Sequence, residues 1–290
     1  MRWQRPVFIA ATAALLIVGL TVAVRAVVGT GDEAPDGPEV RFHATAEQWR
    51  TDEVQRQLAI ALHNDTGVPV WVSRVDPVLP SFEGETGVDT RTLLPASQLR
   101  VDIPVPFGTG SCQPTAAASH VVVVARPEGA TRWQRVTVPL PDPNPLLDKL
   151  LSIDCAAEHV RQSVTLKFGP WRDLGPGGVQ GSLVIDRTAA ATGPVEVREV
   201  DGNVMYRLTF SKAMPPATVT AAAPHVEVPF VADPQRCDLH AFAEIKKPYE
   251  FPVWVSLAGA EPLTTAMPVD DDDRAALDKM LRRICHVPPS

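Results

Sequence analysis

The sequence predicts a mainly β chain: an N-terminal transmembrane helix, then two tandem homologous β-sandwich domains, each closed by a short C-terminal helix. Three observations predict it. An uncharged apolar run opens the 290-residue chain, a nine-residue segment ending in cysteine occurs twice, and most of the rest alternates apolar and polar residues between prolines and glycines. The expected divisions are a cytoplasmic stub at 1–6, the anchor at 7–28, a linker at 29–39, a first domain at 40–160 and a second at 161–290.

Arg2 and Arg5 precede Val7–Val24, 18 residues without a charge, and the run extends through Ala26-Val27-Val28 if Arg25 snorkels. Arginines in front and the acidic stretch Asp32–Glu39 behind keep the N-terminus inside by the positive-inside rule, which exports everything that follows. A cleaved signal peptide is the alternative, with Val24-Arg25-Ala26 as its site, but the run exceeds the roughly 7–15 residues of a signal core. No cysteine lies there to carry a lipid. The expected location is therefore the cell membrane, single-pass, with the C-terminal region outside the cytoplasm, where disulfides persist.

Past the linker the charge is acidic. Arg2, Arg5 and Arg25 are the only charges in the first 31 residues, leaving 24 basic against 34 acidic side chains, a net of −10. Such a surface is unsuited to nucleic acid or anionic lipid. Arginine outnumbers lysine 21 to 6, and with abundant Ala, Val and Pro this is the composition of a GC-rich bacterial genome.

The duplication starts from Leu147-Asp148-Lys149-Leu150-Leu151-Ser152-Ile153-Asp154-Cys155, which returns as Leu277-Asp278-Lys279-Met280-Leu281-Arg282-Arg283-Ile284-Cys285 with five identities in nine. Apolar residues three and four apart give each copy one buried face, with the cysteine at its C-terminal end. Asn144-Pro145 suits the start of the first helix, and Asp270–Asp273 that of the second. Upstream, Val40-Arg41-Phe42 with Trp49-Arg50 matches Val164-Thr165-Leu166 with Trp171-Arg172. A shift of 125 carries Val70–Val75 onto Val195–Val200, Val101–Val105 onto Val226–Phe230, and Cys112 onto Cys237. A constant shift over three segments argues for one unit written twice, with a join near residue 160.

Strands are expected at 57–63, 68–75, 101–105, 119–125 and 133–139, then at 181–186, 195–200, 204–210, 226–230, 238–245 and 252–257. Pro104 and Pro229 cannot donate to a ladder, which predicts that their strands lie at a sheet edge or bulge. Trp49 and Trp171, matched between units, are expected in the two cores. Four cysteines allow three pairings, and equivalent positions in equivalent units choose Cys112 with Cys155 and Cys237 with Cys285. The pattern is similar to immunoglobulin-like sandwiches of exported bacterial proteins, but lacks their Cys-Trp-Cys arrangement between two core strands.

No catalytic, cofactor-binding or metal-ligating set emerges. Asp270-Asp271-Asp272-Asp273 has carboxylates for calcium, but not at the alternate positions a calcium loop needs, and fits a helix start better. His43, His63, His120, His159, His225, His240 and His286 show no zinc spacing and read as surface or turn residues. No serine stands in Gly-x-Ser-x-Gly. Gly108–Cys112 offers no phosphate-loop lysine, Gly175–Gly178 reads as a turn, and Asn64-Asp65-Thr66 as the turn between two strands. The expectation is a non-catalytic binding or structural role toward a macromolecule of the cell envelope; the alternative is an envelope hydrolase or modifying enzyme whose site has no motif. Scaffold residues recur across a duplication and site residues need not, so the unmatched Asp154, His159 and the Ser81–Asp89 loop, with Glu83 and Glu85, are the polar places to inspect.

Overall fold

In the computed structural model the described residues are 37–96, 99–113, 115–211 and 217–286. The anchor expected at 7–28 lies outside them; among the described residues no helix is long and apolar enough to cross a membrane.

Alternating side chains produce antiparallel strands throughout. The N-terminal half contains β1 (Phe42–Glu47), α1 (Arg50–Gln55), β2 (Gln57–Asn64), β3 (Val70–Val78), β4 (Phe82–Glu83), β5 (Val88–Leu94), β6 (Arg100–Pro106), β7 (Thr109–Gly110), β8 (His120–Pro127), β9 (Gln134–Pro139) and α2 (Pro145–Ser163). Its sheets run β1-β2-β6 and β5-β3-β8-β9, with β4 and β7 as a separate pair. The C-terminal half contains β10 (Val164–Phe168), β11 (Arg172–Asp173), β12 (Val179–Arg187), β13 (Val195–Val200), β14 (Tyr206–Phe210), β15 (Ala217–Val219), β16 (His225–Pro234), α3 (Leu239–Glu244), β17 (Pro252–Leu257), β18 (Leu263–Ala266) and α4 (Asp271–Cys285). Here the sheets run β10-β12-β16-β14, with β11 on β12, and β15-β13-β17-β18.

Each half closes over its own core. Leu58, Ile60, Leu62, Val72, Val75, Val121 and Val123 fill the first, and Leu183, Ile185, Val197, Tyr206, Phe251, Val253 and Val255 the second. The register is also the same: Leu62, Ile60 and Leu58 face Val101, Ile103 and Val105, while Ile185, Leu183 and Gly181 face Val226, Val228 and Phe230. A β-bulge interrupts β3 between Val72 and Arg74 and β13 between Val197 and Glu199, positions related by the shift of 125. Bulges re-aim a strand and are placed features of a fold, so their coincidence carries weight.

The two sequence-related helices bury equivalent faces, Leu147 and Leu150 in α2, Leu277, Met280 and Leu281 in α4. Asn144 caps α2 by accepting from the Leu147 N–H at 3.2 Å, and Asp270 caps α4 through the Asp273 N–H at 2.8 Å. Cys112 is bonded to Cys155 and Cys237 to Cys285, with Cα atoms 5.3 and 5.1 Å apart.

Five expectations need correction. First, α2 is not short: it runs 19 residues, so Cys155 sits mid-helix, and the join near 160 falls inside its last turn. Ala156 to Gln162 hold no Gly or Pro, and only the β-branched Val164-Thr165 turn the backbone to strand. Second, the expected strand at 238–245 is α3. Asp238 accepts the Ala241 N–H at 2.9 Å, and the helix formers that follow override a weak alternation.

Third, β6 is an edge strand but β16 lies between β12 and β14. Pro229 is tolerated because the β14–β16 ladder ends at Phe210 opposite Phe230, so the missing N–H falls just past its end, where the Ser211 N–H still donates to the Pro229 carbonyl at 3.4 Å. Fourth, β1, β4, β5, β7, β10, β11, β15, β18 and α1 are not among the expected elements, most being too short to show a clear alternation.

The fifth correction is Trp49, which is 50% exposed, whereas Trp171 packs against the core. Volume explains the difference. In the first half buried Leu58 faces Val105; in the second the equivalent place is Gly181, and a Cβ there would meet Trp171 at 2.9 Å and Phe230 at 3.0 Å. Gly181 leaves the space that Trp171 takes. Trp171 then donates its indole N–H to Asp273 at 2.8 Å, while Trp49 donates to Asp102 at 3.3 Å on the surface.

Trp171→Phe leaves the buried Asp273 carboxylate short of a donor and is expected to cost about 1–3 kcal/mol in denaturant unfolding, against about 0.5 kcal/mol or less for the exposed Trp49→Phe. Reduction is expected to cost about 4 kcal/mol per disulfide by chain entropy, because the closed spans are 43 and 48 residues long. Unfolding midpoints of oxidised and reduced protein measure this, and equal midpoints would contradict it.

Candidate functional site

Beyond β14 and the β4–β7 pair, two helices distinguish the halves. Where the first half has α1, the second has β11 and a 3-10 turn at Gly175–Gly177; where the second has α3, the first has irregular chain beyond Cys112. These two unshared helices line one cleft.

The cleft, about 340 Å³, lies at the junction of the halves. Arg50 and Glu53 come from α1, Asn203 and Val204 from the turn before β14, and Arg236, His240, Ala241, Ile245, Lys246 and Lys247 from α3 and its flanks. α1 is held from both ends. The Trp49 N–H donates to Asp52 at 2.9 Å, and Arg56, in the left-handed region at φ 55°, ends the helix. Arg56 donates to the Gly108 carbonyl at 2.8 Å, pairs with Asp154 and stacks 4.7 Å above the Phe107 ring.

The opposite wall is built around Asn203. Its amide donates to the carbonyls of Pro248 at 2.8 Å and Glu250 at 3.2 Å, and its carbonyl accepts from Met205 and Tyr206 at 2.9 and 3.0 Å. One side chain thus binds the turn that presents Val204 to the loop that presents Lys247. Tyr206 and Tyr249, the only two tyrosines of the chain, fasten these segments to α4 by donating to the same Asp278 oxygen at 3.3 and 2.6 Å. Burial pushes the Tyr206 phenol well above its usual range. Burial and then the hydrogen bond to Asp278 push Tyr249 up to about 12.

Electrostatically the cleft opposes the rest of the molecule. The whole chain carries −7, yet among the described residues Arg50, Arg236, Lys246 and Lys247 share this space with Glu53 as the one lining carboxylate. Lys247 reaches Glu53 at 3.6 Å and Glu250 at 3.1 Å, the first of these an ion pair between the two halves. Arg236 forks onto Asp238 at 2.8 and 3.1 Å.

The polar residues singled out by sequence lie elsewhere. Asp154 accepts from the Gly110 N–H at 2.6 Å and pairs with Arg56, a tie between α2, β7 and the end of α1. Glu83 belongs to β4 and Glu85 to the turn after it; neither they nor His159 line the cleft. Of the histidines only His240 does. His43 stacks on His63 at 4.3 Å and holds Asp65 at 2.7 Å, while His225 holds Asp186 at 2.7 Å, both arrangements on exposed sheet faces. Asp270 and Asp273 cap α4 reciprocally, and burial raises the Asp273 carboxyl above its ordinary value. Among the described residues no group of three or more His, Cys, Asp or Glu side chains is placed to hold a metal.

No known family matches this chain, and no curated protein does. Among solved structures it is similar to CBD12 from CALX1.2, at 11% identity and a TM-score of 0.24 over 77% of this chain and 82% of that one. It is also similar to the CsuC–CsuE chaperone–tip adhesion subunit pre-assembly complex of the archaic chaperone-usher Csu pili of Acinetobacter baumannii, at 10% and 0.20 over 79% and 97%. A protein of unknown function from Porphyromonas gingivalis W83 matches at 15% and 0.20 over 79% and 98%. Similarities this slight say nothing of what the chain does.

Two tyrosines on one carboxylate give a clean spectroscopic test. Both phenols are raised above their unfolded value near ~10, so their contribution to stability is complete below that pH and is lost as pH rises toward about 12. Absorbance near 295 nm is expected to show little tyrosinate in the folded protein until about pH 11, with the unfolding midpoint falling between about pH 10 and 12. Asp278→Asn removes the carboxylate charge and is expected to bring the Tyr249 titration down; ordinary titration near pH 10 in the folded wild type would contradict the assignment.

Proposed function

We propose that this chain is a membrane-anchored binding protein that works outside the cytoplasm and engages a partner of the cell envelope at the junction cleft, without turning it over. In this reading residues 7–28 are a single membrane span, and the two halves that follow are tandem copies of one disulfide-stapled sandwich, joined where α2 passes into β10. The shared order β1-β2-β6 and β10-β12-β16, common register and coincident bulges support the duplication, although β14 on β16 and the β4–β7 pair each occur in one half alone. The two disulfides support an oxidising location.

The observation that carries the binding reading is the composition of the cleft. Copies of a unit keep what the scaffold needs, so elements present in one copy alone are where a separate demand has acted. α1 and α3 are two such elements, beside β14 and the β4–β7 pair, and these two helices line the same space. Its walls are positioned by Asn203, Arg56 and the tyrosine pair, which gives the preorganisation a binding site requires.

The test places a photo-crosslinking amino acid at Val204, 50% exposed on the cleft wall, or at exposed Glu128 as control, in the full-length protein in its own membranes. A discrete adduct from Val204 and none from Glu128 is the expected result, with the protein resisting carbonate extraction. Carbonate release of intact protein would remove the anchor. An adduct-free Val204 protein that hydrolyses envelope substrates, and loses that activity on mutation of one polar cluster, would replace binding with catalysis.

A further inference from the structure

We infer that the junction cleft takes an organic anion, a carboxylate- or phosphate-bearing group on a small apolar body; this rests on the cleft being the binding site. Two of its four cations are committed, Arg236 to Asp238 and Lys247 to Glu53 and Glu250. Arg50 and Lys246 are in no ion pair among the described residues. A guanidinium fork and an ammonium group left uncompensated in one concavity are the donors that carboxylate and phosphate oxygens need. Cations gathered in a recess of an acidic protein also favour the approach of anions to it.

Charge alone would suit an inorganic ion. The apolar part of the lining requires more: Val204 is half exposed there, and buried Ala241 and half-buried Ile245 also line the cleft. An apolar body over these side chains gains burial while its head meets Arg50 and Lys246. The volume of about 340 Å³ sits at the small end of ligand pockets, which limits the occupant to one compact group.

Lys247 adds a consequence of opposite sign. Its contact with Glu53 is loose at 3.6 Å and both side chains are partly exposed, so an arriving anion competes with Glu53 for the same ammonium. Removing the Glu53 charge therefore strengthens anion binding, whereas removing Arg50 or Lys246 weakens it.

The experiment titrates full-length protein in lipid nanodiscs with phenyl phosphate and benzoate by calorimetry, with benzyl alcohol and inorganic phosphate as the neutral and body-less controls. Both organic anions are expected to bind at least about tenfold more tightly than either control, and less tightly as NaCl rises from about 50 to about 500 mM. The Arg50→Gln/Lys246→Gln double variant is expected to lose about tenfold or more, and Glu53→Gln to gain about threefold. The same anions added before photolysis distinguish sources: competition with the Val204 adduct places the acidic group on the partner macromolecule, while binding without an adduct assigns a free organic acid. Equal affinity for benzyl alcohol, an unchanged double variant or a weakened Glu53→Gln would overturn the inference. If the Val204 adduct forms but neither anion binds nor competes, the anion chemistry fails and the binding reading stands; if there is neither adduct nor anion binding, both fall.

Discussion

Everything in this molecule hangs on one antiparallel register used twice. Leu58, Ile60 and Leu62 reach the first core only because β2 meets β6 with Leu58 opposite Val105, and Leu183 and Ile185 reach the second because β12 meets β16 with Leu183 opposite Val228. Slipping either pair by one residue would turn those side chains to water. With the register set, the bulges in β3 and β13 fall into place, β7 and the end of β16 arrive beside the helices, and each cysteine after them comes within disulfide reach of α2 or α4.

That register was legible because its strands are long and alternate cleanly. Val101, Ile103 and Val105 announce a buried face without help from any neighbour, and the shift of 125 repeats it in Val226, Val228 and Phe230. Legibility fails where a choice depends on what lies across the core. Trp49 and Trp171 look equivalent along the chain, yet one is outside and the other inside, because Leu58 fills a place that Gly181 leaves open. It fails too where segments are short: 238–245 has a weak alternation that suggests a strand, and the cap that Asp238 offers Ala241 together with the helix formers after it makes a helix instead.

The candidate site was less legible than the fold. Its parts lie near residues 50, 204 and 245, and no spacing along the chain brings an arginine of α1 to lysines nearly two hundred positions later. Two signals were present. Lys246 and Lys247 are the only adjacent lysines, and the stretch between Cys237 and β17 has no helical counterpart after Cys112. Asp154 shows the converse hazard: an unmatched carboxylate that serves Arg56 and the Gly110 N–H, and thereby the seating of α1 rather than a ligand directly.

The passage from α2 into β10 leaves no loose residue between the halves. Val164 is at once the cap of the helix, its N–H donating to Val160, and the first residue of the strand, while Thr188 closes the corner against Ser163 at 3.1 Å and against Gln162. α2 also packs along β18 and is bolted to the first half at Cys155. A pull on its N-terminal end passes through the junction without first drawing out slack, and the 43- and 48-residue spans between bonded cysteines cannot lengthen at all. At about 3.3 Å per residue they hide about 300 Å of contour length, so the extensibility of the oxidised chain under load is set by two covalent stops, not by the strength of its sheets.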